Sequence, residues 1–256
     1  MGSLANLWLG RLDEAARLAE RAREVRRDSQ NPEEVWIAVM ALSFISSIAG
    51  DSETGYSHAR RGFEMASQHL SPLFVGFSFA WLGVARAGRS EWTEAIAALE
   101  HAVELFRQMN AREPLLEIMP FLADAYLGAN RAGDARVVAE EAVASTRRCR
   151  CVLWEAHAQI MLARAMMRPE CGGTRAEIEA ALETAAQCIR LCGARAMEPW
   201  LREARGEWAR FEGDDSARQR ELREAHRLYT EMGATGHAER LAQELREVAA
   251  GARPHH

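Results

Sequence analysis

A chain of 256 residues is long enough to bury a sizeable core as one or two domains. Its net charge of −5 leaves no electrostatic footprint for nucleic acid, and its 48% hydrophobic content is ordinary for a water-soluble protein. No apolar run approaches the ~20 residues that span a bilayer, and no N-terminal segment reads as a secretory signal, so a cytoplasmic protein without membrane contact is expected.

Small residues recur at a fixed period. Ala15, Ala95 and Ala135 share one register, and Gly55 fills the place between the first two. Another small residue follows four and seven positions on, as in Ala15, Ala19, Ala22 and Ala135, Ala139, Ala142. A period of about 40 residues accommodates one pair of helices. Each period reads as helix A, a short turn, helix B and a polar connection.

The first unit (1–30) has a short helix A, about Leu4 to Leu9, and a helix B from about Asp13 to Arg27 with one apolar stripe through Leu12, Ala15, Leu18, Ala19 and Ala22. The basic run from Arg21 to Arg27 is interrupted by Glu24 and reads as a solvated helix face. In the second unit (31–70), Asn31-Pro32-Glu33-Glu34 opens helix A, because an Asn cap, a first-turn Pro and acids satisfy the free amides and the dipole. Helix B then runs from about Glu53 to His69. The third unit (71–111) opens at Ser71-Pro72, carries Leu82-Gly83 late in helix A, and starts helix B at Trp92. The fourth (112–149) has Leu122-Ala123 and Tyr126 in matching register. Its Pro120 is harmless if helix A starts near Leu116 and disruptive, at ~3 kcal/mol, if it starts at Pro114. The fifth (150–194) runs from about Cys151 to Arg168, turns at Pro169–Gly173, and begins helix B at Thr174, with Glu177 completing a capping box. The sixth (195–233) spans about Met197 to Phe211 and Ser216 to Met232. Gly233 stops that helix and Thr235 caps a last one (235–249), amphipathic as an end cap requires. Nothing alternates with period two, so no strands are expected.

With Leu82-Gly83, Trp92, Ala95, Leu99 and Ala102, the third unit resembles the tetratricopeptide repeat, and the fourth does so through Leu122-Ala123, Tyr126, Ala135, Ala139 and Ala142. The units are longer than that family's typical ~34 residues and lack its closing proline. The text from Leu222 to Leu241 resembles the closing segment of the repeat regions of bacterial signalling ATPases, including LuxR-type activators and class III nucleotide cyclases. The resemblance implies an all-α, right-handed α-solenoid of about six antiparallel helix pairs with a C-terminal capping helix. It also implies a concave groove lined by the A helices. The family's groove-facing register, extrapolated onto this chain, gives Met40, Phe44, Phe77, Val84, Glu117, Asp124, His157, Arg164, Trp200, Glu203 and Glu207.

No catalytic constellation stands out. Gly76-Phe77-Ser78-Phe79-Ala80 lacks the last glycine of a nucleophile elbow and lies inside a helix. There is no phosphate-binding glycine loop and no paired-histidine metal motif, so neither enzyme activity nor a cofactor is expected. Cys188 and Cys192, at i and i+4, fall at the level of Cys149 and Cys151 if the fifth pair is antiparallel. A thiolate metal site there competes with the plainer reading of cysteines as small packing residues, which the sequence favours. The expected role is a non-enzymatic scaffold holding a peptide or protein in its groove; the alternative is a regulatory region that senses a small-molecule inducer.

Overall fold

The computed structural model describes residues 2–27 and 29–251. Thirteen α-helices make up nearly all of this span, with no strand among the described residues: α1 (Gly2–Trp8), α2 (Leu12–Val25), α3 (Pro32–Ala49), α4 (Ser52–His69), α5 (Pro72–Gly88), α6 (Trp92–Gln108), α7 (Arg112–Gly128), α8 (Ala132–Cys149), α9 (Val152–Met166), α10 (Arg175–Cys192), α11 (Glu198–Phe211), α12 (Asp215–Met232) and α13 (Thr235–Gly251). The enlarged turn before α10 winds into a short 3-10 segment, Pro169–Cys171, and a second one, Arg195–Met197, precedes α11.

The helices pack as consecutive antiparallel pairs, and the odd-numbered ones also touch in series: α1 on α3, α3 on α5, α5 on α7, α7 on α9 and α9 on α11. This is an α-solenoid whose inner layer is the A helices. The pairs approach closely because their crossing residues are small. Ala15, Ala59, Ala95, Ala135, Ala139 and Ala142 are completely buried. At Gly83 of α5 a methyl group would fall 2.6 Å from the Leu99 side chain and 3.0 Å from the Ala95 carbonyl of α6, so glycine alone lets those helices meet.

The turns repeat as strictly as the helices. A left-handed residue follows a helix at Gly10, Gly50, Ser90, Asn110, Asn130, Arg150, Gly193, Gly213 and Gly233. At each of these except Gly193 the next amide then donates back to the carbonyl five residues earlier, as from Asp51 to Ser46 (2.9 Å), Ala111 to Phe106 (2.9 Å) and Cys151 to Thr146 (2.9 Å). This closure satisfies orphan carbonyls at the helix end and reverses the chain. At the other ends, Asn31 accepts from the Glu33 amide, Asp51 from Thr54, and Thr174 and Glu177 form the reciprocal box. Ser71 makes no such bond, and Thr235 is the first residue of its helix rather than its cap.

Three features depart from expectation. Pro120 lies well inside α7, which begins at Arg112, so the Leu116 carbonyl has no ladder amide to receive. The 18-residue α3 has a mean hydropathy of 1.3, enough by length and composition to cross a membrane, although the sequence reading found no such run. Half of it is buried in this fold, and its two faces serve α4 and the inner layer. Finally, the solenoid closes on itself. The α13 helix reaches α3, with Gly236 against the backbone of Gly50, while Gly10 lies under Met232 and Arg195.

Arg150 holds φ at +55° on an exposed turn, a conformation that costs an L-residue with a Cβ ~1 kcal/mol. Arg150→Gly is therefore expected to stabilise the fold by about 0.5–1 kcal/mol, read as a higher urea midpoint at unchanged denaturant slope.

Candidate functional site

The solenoid's inner face is filled mostly by the chain's own aromatic rings, one from each A helix. Trp8 of α1 stands edge-on to Trp154 of α9 (5.2 Å), Phe44 of α3 (5.7 Å) and Trp200 of α11 (6.5 Å). Phe44 in turn meets Trp81 of α5 at 4.3 Å and Phe121 of α7 at 6.2 Å. Edge-to-face contacts of this kind each add ~0.5–1.5 kcal/mol beyond burial.

Beside this cluster a cavity of about 510 Å³ remains, bounded by α3, α5, α7, α9 and α11 and walled by α12 and α13. Its polar centre is Arg164 of α9. The guanidinium donates to Asp124 of α7 (Nη1 to Oδ1, 3.0 Å) and to Glu207 of α11 (Nη2 and Nε to Oε1, 2.8 and 3.0 Å; Nε to Oε2, 3.2 Å). Burial opposes the charge on Arg164, but Glu207 and Asp124 outweigh it and hold the guanidinium protonated. Burial pushes the Asp124 carboxyl up; Arg164 counters this, while Glu207 and Glu203 add to it. A second group sits alongside: Tyr229 of α12 donates to Glu203 at 2.7 Å, and Arg240 of α13 donates to its other oxygen at 2.7 Å. His237 stacks on Tyr229 at 4.7 Å and is pushed down to about 4 by burial.

His157 lines the cavity between Phe121 (4.7 Å) and Trp200 (4.9 Å). It is 3% exposed and its Nδ1 has no hydrogen-bond partner. Burial and the neighbouring Arg164 push it down to about 3, so the ring is neutral at physiological pH.

Of the eleven positions in the extrapolated groove register, Val84, Asp124, His157, Arg164, Trp200 and Glu203 line the cavity, and Glu207 joins it through Arg164. The other four do not line it. Met40 points away from the inner layer: its sulfur packs on Gly62 of α4, where a methyl group could not fit. Phe44 belongs to the aromatic cluster, and Phe77 packs on Phe106 of α6 at 5.1 Å. Glu117 has no charged neighbour acting on it, and burial alone pushes it up to about 7. Trp8, Tyr229, His237 and Arg240 lie outside the extrapolated register. The last three lie in the text from Leu222 to Leu241, which was the available signal. Among the described residues no group of three or more His, Cys, Asp or Glu is placed to hold a metal ion. Cys149, Cys151, Cys188 and Cys192 are free thiols, with Cys188 buried in the core and Cys149 and Cys192 exposed.

The fold and its inner face define an α-solenoid of tetratricopeptide-like helix pairs. No family profile matches the chain, and no curated protein does. Among solved structures, it is similar to a Rap protein complexed with competence and sporulation factor (TM-score 0.66, 10% identity, 97% of this chain and 73% of that one). It is also similar to aspartyl phosphate phosphatase F from Bacillus subtilis (0.66, 10%, 96% and 68%). A putative kinesin light chain of Podosopora anserina with TPR-like repeats aligns at 0.51 and 19% identity over 74% of this chain and 92% of that one. At these identities the likeness is one of fold.

Because the folded state raises the Glu117 proton affinity, this group lowers stability as pH rises from about 4.5 through about 7. Glu117→Gln should raise unfolding free energy at pH 8 by about 1–3 kcal/mol. The gain should vanish below pH ~4.5, where the carboxyl is protonated in both states; urea titrations at the two pH values measure it.

Proposed function

We propose that this chain is a non-catalytic recognition module that holds a peptide or protein partner on the inner face of its solenoid. The supporting observation is where polar groups are placed. An inner layer made otherwise of packed aromatic rings keeps Asp124, Arg164, Glu203 and Glu207 partly open to solvent around one cavity. Buried charges cost stability unless paired, and a fold needing only a core would fill such positions with apolar side chains. An apolar floor with a few convergent polar groups is what a recognition site presents. The Rap neighbour bound to competence and sporulation factor lends this reading support by analogy of fold.

A second reading, a regulatory region that senses a small molecule, is favoured by the cavity itself. Its volume of about 510 Å³ falls in the range of small-molecule sites, and α12 and α13 add a wall to it. The likeness of Leu222–Leu241 to the closing segment of signalling ATPases and nucleotide cyclases belongs to this reading.

The test is affinity capture from a cell extract with the unaltered chain and with Phe77→Ala and Trp200→Ala. The expected outcome is a polypeptide retained by the unaltered chain and captured at least ~10-fold less by the Trp200 variant, as truncating an aromatic anchor does. Both variants should keep cooperative thermal unfolding. Phe77 lies off the cavity, so its variant should capture as the unaltered chain does; capture unchanged in the Trp200 variant as well would refute the inner face as the binding surface.

A further inference from the structure

The charges around the cavity do not balance. Asp124, Glu203 and Glu207 face Arg164 and Arg240, three acids against two bases, and the two histidines among them are neutral. With Asp124 ionised the site carries one negative charge beside two unprotonated imidazoles, and burial together with Glu207 and Glu203 disfavours that charge until a cation joins it. Asp124 uses one carboxylate oxygen on Arg164, and its side chain is 41% exposed. Glu203, by contrast, has both oxygens engaged. The free charge thus lies at Asp124, beside the Trp200 and Phe121 rings that flank His157. Aromatic faces next to an uncompensated carboxylate attract a cation by quadrupole and by charge together. His157, almost wholly buried with Nδ1 unpartnered, supplies a neutral imidazole that can pair with an N–H donor.

We propose that this cavity binds a single organic cation, an ammonium or guanidinium group on a small apolar or aromatic body. The inference deepens the recognition role argued above and rests on it. Arg164 does not fill this role, because Glu207 and Asp124 together already exceed its charge. An anionic ligand would add to the acid excess and is excluded. The cation's source is either a free amine or the basic side chain of a bound peptide, and both present the same chemistry to Asp124.

Calorimetric titration of the full chain at pH 8 separates these cases. The probes are tryptamine, the capped dipeptide acetyl-Trp-Arg-amide, and indole-3-acetate as an anion of matching ring. At least one cationic probe should bind, and indole-3-acetate should not. Whichever cation binds more tightly identifies the source. Asp124→Asn should weaken cation binding at least ~10-fold, the loss expected when a partly buried charge loses its partner. Arg240→Met should tighten it several-fold, because it frees Glu203; a merely damaged site would not gain affinity. Indole-3-acetate binding as well as the cations, no cation binding at millimolar concentration, or affinity unmoved by both substitutions would overturn the assignment. If cations fail while polypeptide capture persists, only this inference falls. If cations bind and no polypeptide is captured, the peptide-partner reading falls and the cation site stands.

Discussion

The approach of one helix to the next across a row of small side chains governs everything else in this structure. Alanine or glycine at each crossing lets paired helices lie close enough for Leu99, Phe106 and their counterparts to bury completely. The left-handed turns keep the phase. Gly10, Gly50, Ser90 and Asn130, the turns within the first four helix pairs, fall 40 residues apart, so those A helices return to the inner layer with the same face forward. A larger residue at Gly83 or Ala95 would separate a pair and strain those next to it, because adjacent pairs set one another's position.

The constant phase also explains the composition of the inner face. Once six A helices converge there, each must contribute something to a narrow interior. Each contributes an aromatic ring, and α7, α9 and α11 contribute charge as well. The charges survive burial only because they are hydrogen-bonded to one another, Arg164 to two carboxylates and Glu203 to a phenol and a guanidinium. His157 and Glu117 stand apart from those pairings, and their shifted protonation marks where the interior is dry without being compensated.

Much of this was legible in the residues. The period, the helix pairs, the capping box at Thr174 and the stop at Gly233 all follow from local chemistry within one or two turns of chain. The register that brought Val84, Asp124, Arg164 and Glu203 together was also readable, because positions one repeat apart occupy equivalent places. What stayed hidden depends on rotation and on distance along the chain. Met40 and Phe44 are one helical turn apart, an offset of about 40° around the axis, and a long flexible thioether is enough to turn one toward α4 while the other faces inward. Trp8 read as the end of a short terminal helix, since nothing local says that it inserts between Trp154 and Trp200, rings from the far half of the chain. The walls from α12 and α13 are likewise set by the curvature accumulated over six pairs, which no single pair encodes.

The contact of Gly236 with Gly50, and of Gly10 with Met232, changes the kind of object this solenoid is. A linear array of repeats has two ends, and it melts from whichever end is weaker because a terminal unit has only one neighbour. Here the first and last units are neighbours of each other, so no unit occupies an end. Local opening anywhere must break two interfaces rather than one. The chain therefore behaves as a circular cooperative unit, in which strain applied at the cavity is shared around the whole circumference instead of dissipating at a frayed terminus.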